Sequence, residues 1–383
     1  MRELLSYAVS RRAAQIDLIR RLAEIESPSD NKAAVDRLAE FLADFLSPVA
    51  AIKIYRMREC GNHLRAEFQL PGKSKSGQIL ALGHMDTVYP LGILAHMPVR
   101  IAAGRLWGPG VFDMKAGIAI IIFAAEALRE LGRPVTRKLV MQLVSDEETG
   151  SICSRDLTER EARKSAAVLV FEPALGSEGR LKTARKGVGD YTIRVRGRPA
   201  HAGLDFEAGA SATLELARQL LHIARFTDLR RGITVNPGVI GGGTRVNIVA
   251  EAAWAKIDVR VWRMADARRL EKKFRALRPV DRRTRITVEG GLNRPPFERT
   301  PAVRSLYRQA RRVAGELGLH LGEAQVGGGS DGNFTAALGV PTLDGLGAVG
   351  EGAHAPHESV LIGRLAERVA LAAGLIEQIA RQP

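Results

Sequence analysis

Apolar residues recur at helical spacing over residues 13–25 and again over residues 33–46. Positions three or four apart lie on one face of a helix, so these segments predict two amphipathic helices. Farther along, the pattern predicts an apolar helix over residues 114–131 and buried strands over residues 79–82, 139–144 and 167–171. Alternation of strand, crossover helix and strand is typical of a mostly parallel sheet with helices on both faces.

The pattern changes after about residue 185. Tyr191, Ile193 and Val195 alternate with polar residues, which indicates a strand with one exposed face. The same reasoning predicts strands near residues 233–240, 246–261 and 284–288, with helices over 209–225 and 266–277. One-sided antiparallel strands covered by two helices form a small α+β insertion.

From about residue 300 the first pattern returns, with helices over residues 302–317 and 361–380 and a strand over 340–343. A chain of 383 residues favours two domains. We therefore predict a main α/β domain, residues 1–184 and 299–383, interrupted by an inserted α+β domain, residues 185–298.

The composition, 45% hydrophobic and 26% charged, is typical of a globular protein. Two cysteines, Cys60 and Cys153, exclude a disulfide framework and are interpreted as plain thiols. The first residues lack a sustained apolar segment, and no uncharged run is long enough to span a membrane. These features predict a cytoplasmic protein without a membrane partner.

The net charge of +15 is concentrated in part between residues 263 and 285, which hold ten basic and three acidic residues. This segment fits either a nucleic-acid surface or a solvated amphipathic helix. Because basic residues elsewhere are dispersed and no nucleic-acid motif is present, we expect no nucleic-acid partner. The excess charge favours attraction of an anionic small substrate.

Histidines and carboxylates follow the predicted strands and occupy glycine-containing loops. They are His84, Asp86, Asp113, Glu147, Glu148, Glu172 and His354. Ligands of open parallel sheets bind beyond the carboxyl ends of the strands, so these side chains are expected to meet there. A set of imidazoles and carboxylates suits Zn²⁺, with Co²⁺ or Mn²⁺ as substitutes.

Spacing within the motifs suggests a division of roles. His84 and Asp86 are two residues apart, so in extended backbone they face the same way, and Asp86 can orient the imidazole. Adjacent Glu147 and Glu148 point in different directions. One can therefore bind a metal while the other acts on the attacking water.

Six motifs together resemble the aminoacylase/acetylornithine deacetylase/carboxypeptidase G family of dimetal hydrolases, and they follow the family's order along nearly the whole chain. The motifs are His84-Met-Asp-Thr-Val, Gly108-Pro-Gly-Val-Phe-Asp-Met-Lys, Asp146-Glu-Glu-Thr-Gly, Glu172-Pro, Arg198-Pro-Ala-His-Ala and Gly327-Gly-Gly-Ser-Asp. The resemblance is strongest toward the glutamate carboxypeptidase branch.

The resemblance implies two zinc ions per subunit, with Asp113 bridging them. One ion would also be bound by His84 and Glu172, and the other by Glu148 and His354, with His357 as a rival. Glu147 would be the general base and Asp86 the residue that orients His84. A cis peptide bond is expected at Asp113–Met114.

The insertion resembles the family's dimerisation domain, or lid. His201 would reach into the partner's active site and stabilise the oxyanion; the alternative is a helix-capping role. Asn247 and Arg260 match positions that line the substrate region, although a turn residue and a surface strand position are the simpler interpretations. Arg294 matches the arginine that binds the substrate's α-carboxylate.

These observations predict a homodimeric zinc carboxypeptidase that releases a C-terminal, acidic, glutamate-like amino acid from a small peptide or N-acyl amino acid. Between residues 172 and 187 the segment departs from the family's pattern and carries Arg180 and Lys182. An N-acyl or N-acetyl amino acid deacylase uses the same residues and remains an alternative. A non-catalytic binding paralogue is a more remote one.

Overall fold

The protein is described by a computed structural model that covers residues 1–73 and 75–381. These residues fold into two compact units. The first contains Met1–Thr183, Arg299–Gln325 and the chain from Ser330 onward, and the second contains Ala184–Glu298 and Val326–Gly329.

The helices are α1 Arg2–Ser10, α2 Arg12–Glu24, α3 Lys32–Leu46, α4 Ala116–Glu130, α5 Arg155–Ala162, α6 Ala212–Ala224, α7 Met264–Arg275, α8 Pro301–Glu316, α9 Gly332–Ala337 and α10 Leu365–Ala380. The strands are β1 Ala50–Tyr55, β2 His63–Phe68, β3 Gln78–His84, β4 Arg100–Ala102, β5 Arg105–Trp107, β6 Lys138–Val144, β7 Ser165–Val170, β8 Leu181–Arg185, β9 Gly187–Arg196, β10 Thr234–Gly242, β11 Ala252–Val261, β12 Arg285–Arg294, β13 Glu323–Val326, β14 Thr342–Leu343, β15 Gly350–Glu351 and β16 Ser359–Leu361.

The first unit is built on a six-stranded sheet with the order β1-β2-β6-β3-β7-β14. Strands β6, β3, β7 and β14 are parallel, whereas β1 and β2 extend the sheet in antiparallel fashion. The prediction of a mostly parallel sheet is confirmed. Strands β1 and β2 and helix α1 were not predicted.

Helices cover both faces of this sheet, which explains why β3 is buried along its whole length. Successive side chains of a strand point to opposite faces. Ile79 and Ala81 accordingly pack in the large core that includes α4 and α10. Leu80 and Leu82 pack on the other face with Ala162 of α5.

Helix α4 begins directly against the end of β7. A Cβ atom added at Gly117 would lie 2.1 Å from the carbonyl oxygen of Phe171, so no larger residue fits there. The close approach holds the start of α4 beside Phe171, the residue that precedes Glu172.

The second unit contains an antiparallel sheet with the order β10-β11-β9-β12. Side chains of β9 alternate between buried and more exposed positions, as predicted. The buried face packs against α6 and α7, and the rings of Tyr191 and Phe274 stack with their centroids 4.0 Å apart. This arrangement confirms the predicted α+β insertion with one-sided strands.

Two strand boundaries of this unit differ from the prediction. Strand β11 begins at Ala252, not near residue 246, because Ala252 pairs with Arg196, the last residue of β9. Strand β12 continues to Arg294, beyond the predicted end at residue 288. Its last part contains Gly290 and Gly291 and lacks apolar alternation, but it pairs with β9.

No helix among residues 1–73 and 75–381 is both long and apolar enough to cross a lipid bilayer.

Candidate active site

The residues that follow three strands of the parallel sheet lie at the same edge of the sheet. Strand β3 ends at His84, which pairs in register with Val144, the last residue of β6. On the other side of β3, Leu82 pairs with Val170, the last residue of β7. The loops that follow β6 and β7 therefore start beside His84 at the carboxyl edge of the sheet, where ligands of such sheets bind.

The carboxylate of Asp113 lies between two histidines. Its Oδ1 is 3.3 Å from His84 Nε2, and its Oδ2 is 3.3 Å from His354 Nε2. Each carboxylate oxygen thus faces a different imidazole. This is the arrangement that a carboxylate bridging two cations requires.

One glutamate lies beside each of the two histidines. Glu172 Oε1 is 3.4 Å from Nε2 of His84, and Glu148 Oε1 is 3.1 Å from Nε2 of His354. His84 is almost completely buried, whereas the side chain of His354 is 49% exposed. The five side chains predicted to bind metal therefore converge within the first unit.

The donor atoms fit divalent cations in number, type and spacing. Oxygen and nitrogen ligands of one tetrahedral zinc ion are about 3.3 Å apart, given metal–ligand bonds of about 2.0–2.1 Å. Ligand atoms of His84, Asp113 and Glu148 lie within 4.8 Å of one another, as do those of His84, Glu147 and Glu172. An imidazole and carboxylate set of this kind suits zinc, cobalt or manganese.

The carboxylates change the protonation of both imidazoles. Hydrogen bonds to Asp113 and Glu148 raise the pKa of His354 to about 10. Burial disfavours protonation of His84, but hydrogen bonds to Asp113, Asp86 and Glu172 outweigh burial and raise its pKa. Burial also acts on Glu148, and raises its pKa to about 7. Without a cation, these side chains therefore hold protons that must leave when a cation binds.

Asp86 contacts both His84 and the segment that carries the paired glutamates. His84 Nδ1 is 3.0 Å from the backbone carbonyl oxygen of Asp86 and 3.4 Å from its carboxylate Oδ1. The carboxylate also accepts hydrogen bonds from the backbone N–H groups of Glu147 and Glu148, at 3.3 and 3.1 Å. Asp86 therefore positions the two glutamates as well as facing the imidazole, a contact that spacing alone did not reveal.

Glu147 and Glu148 belong to two candidate donor groups that share His84. Glu147 groups with His84 and Glu172, whereas Glu148 groups with His84 and Asp113. Both lie in a short helical turn, Glu147–Thr149, which Ser145 and Asp146 connect to the end of β6.

Glu358 has a positioning role that the sequence motifs did not indicate. Its buried carboxylate accepts hydrogen bonds from the backbone N–H groups of Gly110, Phe112 and Asp113, at 2.8 to 2.9 Å. The hydroxyl of Tyr89 donates to it at 2.7 Å. Glu358 therefore fixes the loop that presents Asp113.

Two backbone features accompany the predicted metal-ligand residues Asp113 and His354. The peptide bond between Asp113 and Met114 is cis, as predicted. His354, with φ of 62°, directs Nε2 toward Asp113 and Glu148, at 3.3 and 3.1 Å.

The other four predicted site residues lie in the second unit. His201 is exposed, and its Nδ1 accepts hydrogen bonds from the backbone N–H groups of Gly203 and Leu204, both at 3.1 Å. Because Nδ1 acts as an acceptor, the proton of the neutral ring lies on Nε2, which becomes a hydrogen-bond donor.

Asn247, Arg260 and Arg294 differ in their surroundings. Asn247 is exposed and lies in the loop before β11. The guanidinium of Arg260 is paired with Asp258, its Nε 3.0 Å from both carboxylate oxygens. Arg294 is 4% exposed, ends β12, and donates to the side chain of Asn293 at 3.1 Å.

Comparison with known protein sequences identifies the family. Residues 80–378 match peptidase family M20/M25/M40. Over 380 residues the chain is 29% identical to carboxypeptidase G2 of Pseudomonas sp. strain RS-16, covering 97% of this chain and 91% of that protein. It is 31% identical over 312 residues to a probable carboxypeptidase of Arthroderma otae, covering 73% of this chain and 67% of the relative. The resemblance inferred from the motifs is confirmed.

Solved structures share the fold. Aminopeptidase PepT of Bacillus cereus aligns with a TM-score of 0.76 at 22% identity, covering 97% of this chain and 99% of that chain. The YxeP protein of Bacillus subtilis, a dinuclear metal-binding peptidase of the M20 family, aligns with a TM-score of 0.67 at 15% identity, covering 96% and 98%. The chain thus belongs to peptidase family M20/M25/M40 and is a metallohydrolase that acts on amide bonds.

Proposed function

We propose that this metallopeptidase is a zinc carboxypeptidase that releases a C-terminal acidic amino acid, such as glutamate, from a small peptide or N-acyl amino acid. The observation that carries the proposal is the position of Asp113, with one carboxylate oxygen facing each of two histidines. The similarity to carboxypeptidase G2 over 97% of the chain supports the choice of a carboxypeptidase.

Five residues would hold two metal ions. His84 and Glu172 would bind one, Glu148 and His354 the other, and Asp113 both. When bound, the ions supply Lewis acidity, which polarises the scissile carbonyl group and lowers the pKa of a coordinated water.

The remaining chemistry falls to side chains of the protein. Glu147 would take the proton from the attacking water and pass it to the leaving amine, as a general base and then a general acid. Asp86, through its hydrogen bonds to the backbone of Glu147 and Glu148, would hold this base in place. His201 would donate from Nε2 to the developing oxyanion.

The proposed substrate carries negative charges, and basic residues of the chain would bind them. Arg294 would bind the α-carboxylate, because a guanidinium forms two parallel hydrogen bonds to a carboxylate. Asn247 and Arg260 would line the substrate region, and Arg180 or Lys182 would bind an acidic side chain. The net charge of +15 would raise the local concentration of an anionic substrate.

The second unit would serve as a dimerisation domain of a cytoplasmic homodimer. Strand β10 lies at the edge of its sheet, and Val239 and Ile240 on that strand are 51% and 64% exposed. An apolar, unpaired edge strand favours pairing with another chain. On this proposal the domains would be residues 1–184 and 299–383 for catalysis and residues 185–298 for dimerisation.

The substrate class can be tested with matched substrates and zinc- or cobalt-loaded enzyme, measuring release of the free amine. We expect kcat/KM for an N-acyl glutamate with an aliphatic acyl group, and for a dipeptide ending in glutamate, to be at least tenfold higher than for the corresponding leucine substrates. Preference for N-acetyl amino acids regardless of side chain would instead identify a deacylase. No amine release from any substrate would contradict both functions.

Replacement of Arg294 by lysine should reduce kcat/KM for free-acid substrates at least tenfold. Lysine keeps the charge but loses the planar fork, and a bidentate contact of this kind contributes roughly 1.5–3 kcal/mol. The wild-type enzyme should also cleave C-terminally amidated analogues poorly. Arg268→Lys, on the exposed face of α7, is the matched control and should keep wild-type values. Equal turnover of acid and amide substrates by the wild type would disprove the role of Arg294.

Metal affinity should rise with pH between about pH 6 and pH 8, by about tenfold per pH unit for each proton displaced. The sign follows from the raised pKa of His354, about 10, and of Glu148, about 7. Both groups hold protons at the acidic end of this range and must lose them to bind a cation. Competition with a chelator at several pH values measures the effect, and an affinity independent of pH would contradict it.

A further inference from the structure

The two cysteines of the chain are neighbours in the folded protein, although 93 residues separate them in sequence. Ligand atoms of Cys60, Cys153 and Asp146 all lie within 4.8 Å of one another. Cys60 is 7% exposed and Asp146 is 3% exposed, while Cys153 is partly buried. The cluster is separate from the donor groups around His84 and shares no residue with them.

Asp146 is anchored through one of its two carboxylate oxygens. Its Oδ2 accepts hydrogen bonds from the backbone N–H groups of Cys153 and Ser154, at 2.7 and 3.3 Å. Its Oδ1 is buried and has no hydrogen-bond partner within residues 1–73 and 75–381. A buried carboxylate oxygen without a donor is costly unless another group satisfies it.

A divalent cation satisfies this cluster better than the alternatives. Zinc–sulfur bonds are about 2.3 Å long, so two thiolates on one tetrahedral ion are about 3.8 Å apart. The two sulfur atoms are at most 4.8 Å apart, so they need to approach each other by about 1 Å at most to bind one ion. A disulfide demands a sulfur–sulfur bond of about 2 Å.

We propose that Cys60, Cys153 and the carboxylate of Asp146 form a second metal site, specific for a soft divalent cation of the zinc and cadmium class. Thiolates select soft metals, whereas the site at His84 offers nitrogen and oxygen donors alone. The ion would bind as the two thiols lose their protons to solvent, with no oxidation or reduction.

The proposed site lies next to the catalytic segment in sequence. Asp146 immediately precedes Glu147, and its backbone carbonyl oxygen accepts a hydrogen bond from the backbone N–H group of Ser151 at 2.8 Å. A cation held by Asp146 and Cys153 would therefore close the loop that carries Glu147 and Glu148. Cys60 would tie this loop to the segment that leads into β2.

The test uses full-length protein, kept reduced, stripped of metal and titrated with Co²⁺ or Cd²⁺. Thiolate ligands produce an intense sulfur-to-metal charge-transfer band in the ultraviolet, which nitrogen and oxygen ligands do not. Because the chain contains two cysteines, such a band identifies this site. We expect the band in the wild type. In Cys60→Ser and in Cys153→Ser the band should disappear, and each variant should bind one ion per chain fewer than the wild type.

Two controls separate this site from the catalytic centre and from general damage. Ser154→Ala changes a buried neighbour that is not a thiol and should keep the band. His84→Ala should lower metal binding at the catalytic centre and also keep the band. Absence of the band in reduced wild-type protein, with Co²⁺ or Cd²⁺ in excess, overturns the proposal without any variant. Persistence of the band in either single cysteine variant overturns it as well.

Discussion

Glu147→Ala should lose at least about 10³-fold in kcat while keeping its metal content and its fold. The substitution removes the group that moves the proton in both halves of the reaction, and a 10³-fold loss corresponds to about 4 kcal/mol in the transition state. Steady-state kinetics with metal analysis of the same samples measures both quantities. Circular dichroism checks the fold.

Glu148→Ala is the matched comparison, because the two glutamates are adjacent but belong to different donor groups. We expect this variant to lose metal as well as activity. If instead Glu147→Ala lost the metal and Glu148→Ala kept it, the roles of the two residues would be exchanged.

His201→Ala should be nearly inactive, with a loss of roughly 10²–10³-fold in kcat and with both catalytic metal ions still bound. The acceptor role of Nδ1 leaves Nε2–H free to donate, which suits stabilisation of an oxyanion. His222→Ala, an exposed histidine on α6 that no motif assigns, is the control and should keep full activity.

Mixing the inactive His201→Ala and Glu147→Ala proteins tests whether His201 acts in the partner's site. Half of randomly paired dimers would be mixed, and each would contain one site with both residues intact, so about a quarter of wild-type activity should return. No recovery after verified subunit exchange would show that His201 acts within its own chain or not at all.

The sequence predicted the parts of the site that are local or follow from sheet geometry. His84 and Glu172 were found because each follows an apolar strand, and parallel strands end at one edge of the sheet. The one-sided strand β9 was predicted from its alternation. In these cases the periodicity of apolar residues carries the information.

Contacts between distant segments could not be predicted in the same way. Glu358 holds Asp113 across 245 residues, through backbone N–H groups that no side-chain pattern records. The contact of Asp86 with Glu147 and Glu148 is likewise a contact to backbone, 61 and 62 residues away. Cys60 and Cys153 looked like unrelated thiols because the path of the chain, not a motif, brings them together.

We propose that five residues of the first unit bind two catalytic metal ions. Anomalous scattering from crystals of the zinc-loaded enzyme tests it most directly, because the peaks give the positions of the ions independently of any activity. We expect two peaks there, one against His84 and Glu172 and one against Glu148 and His354, with Asp113 between them. A single peak, or ordered zinc ions that do not contact these residues, would contradict the account.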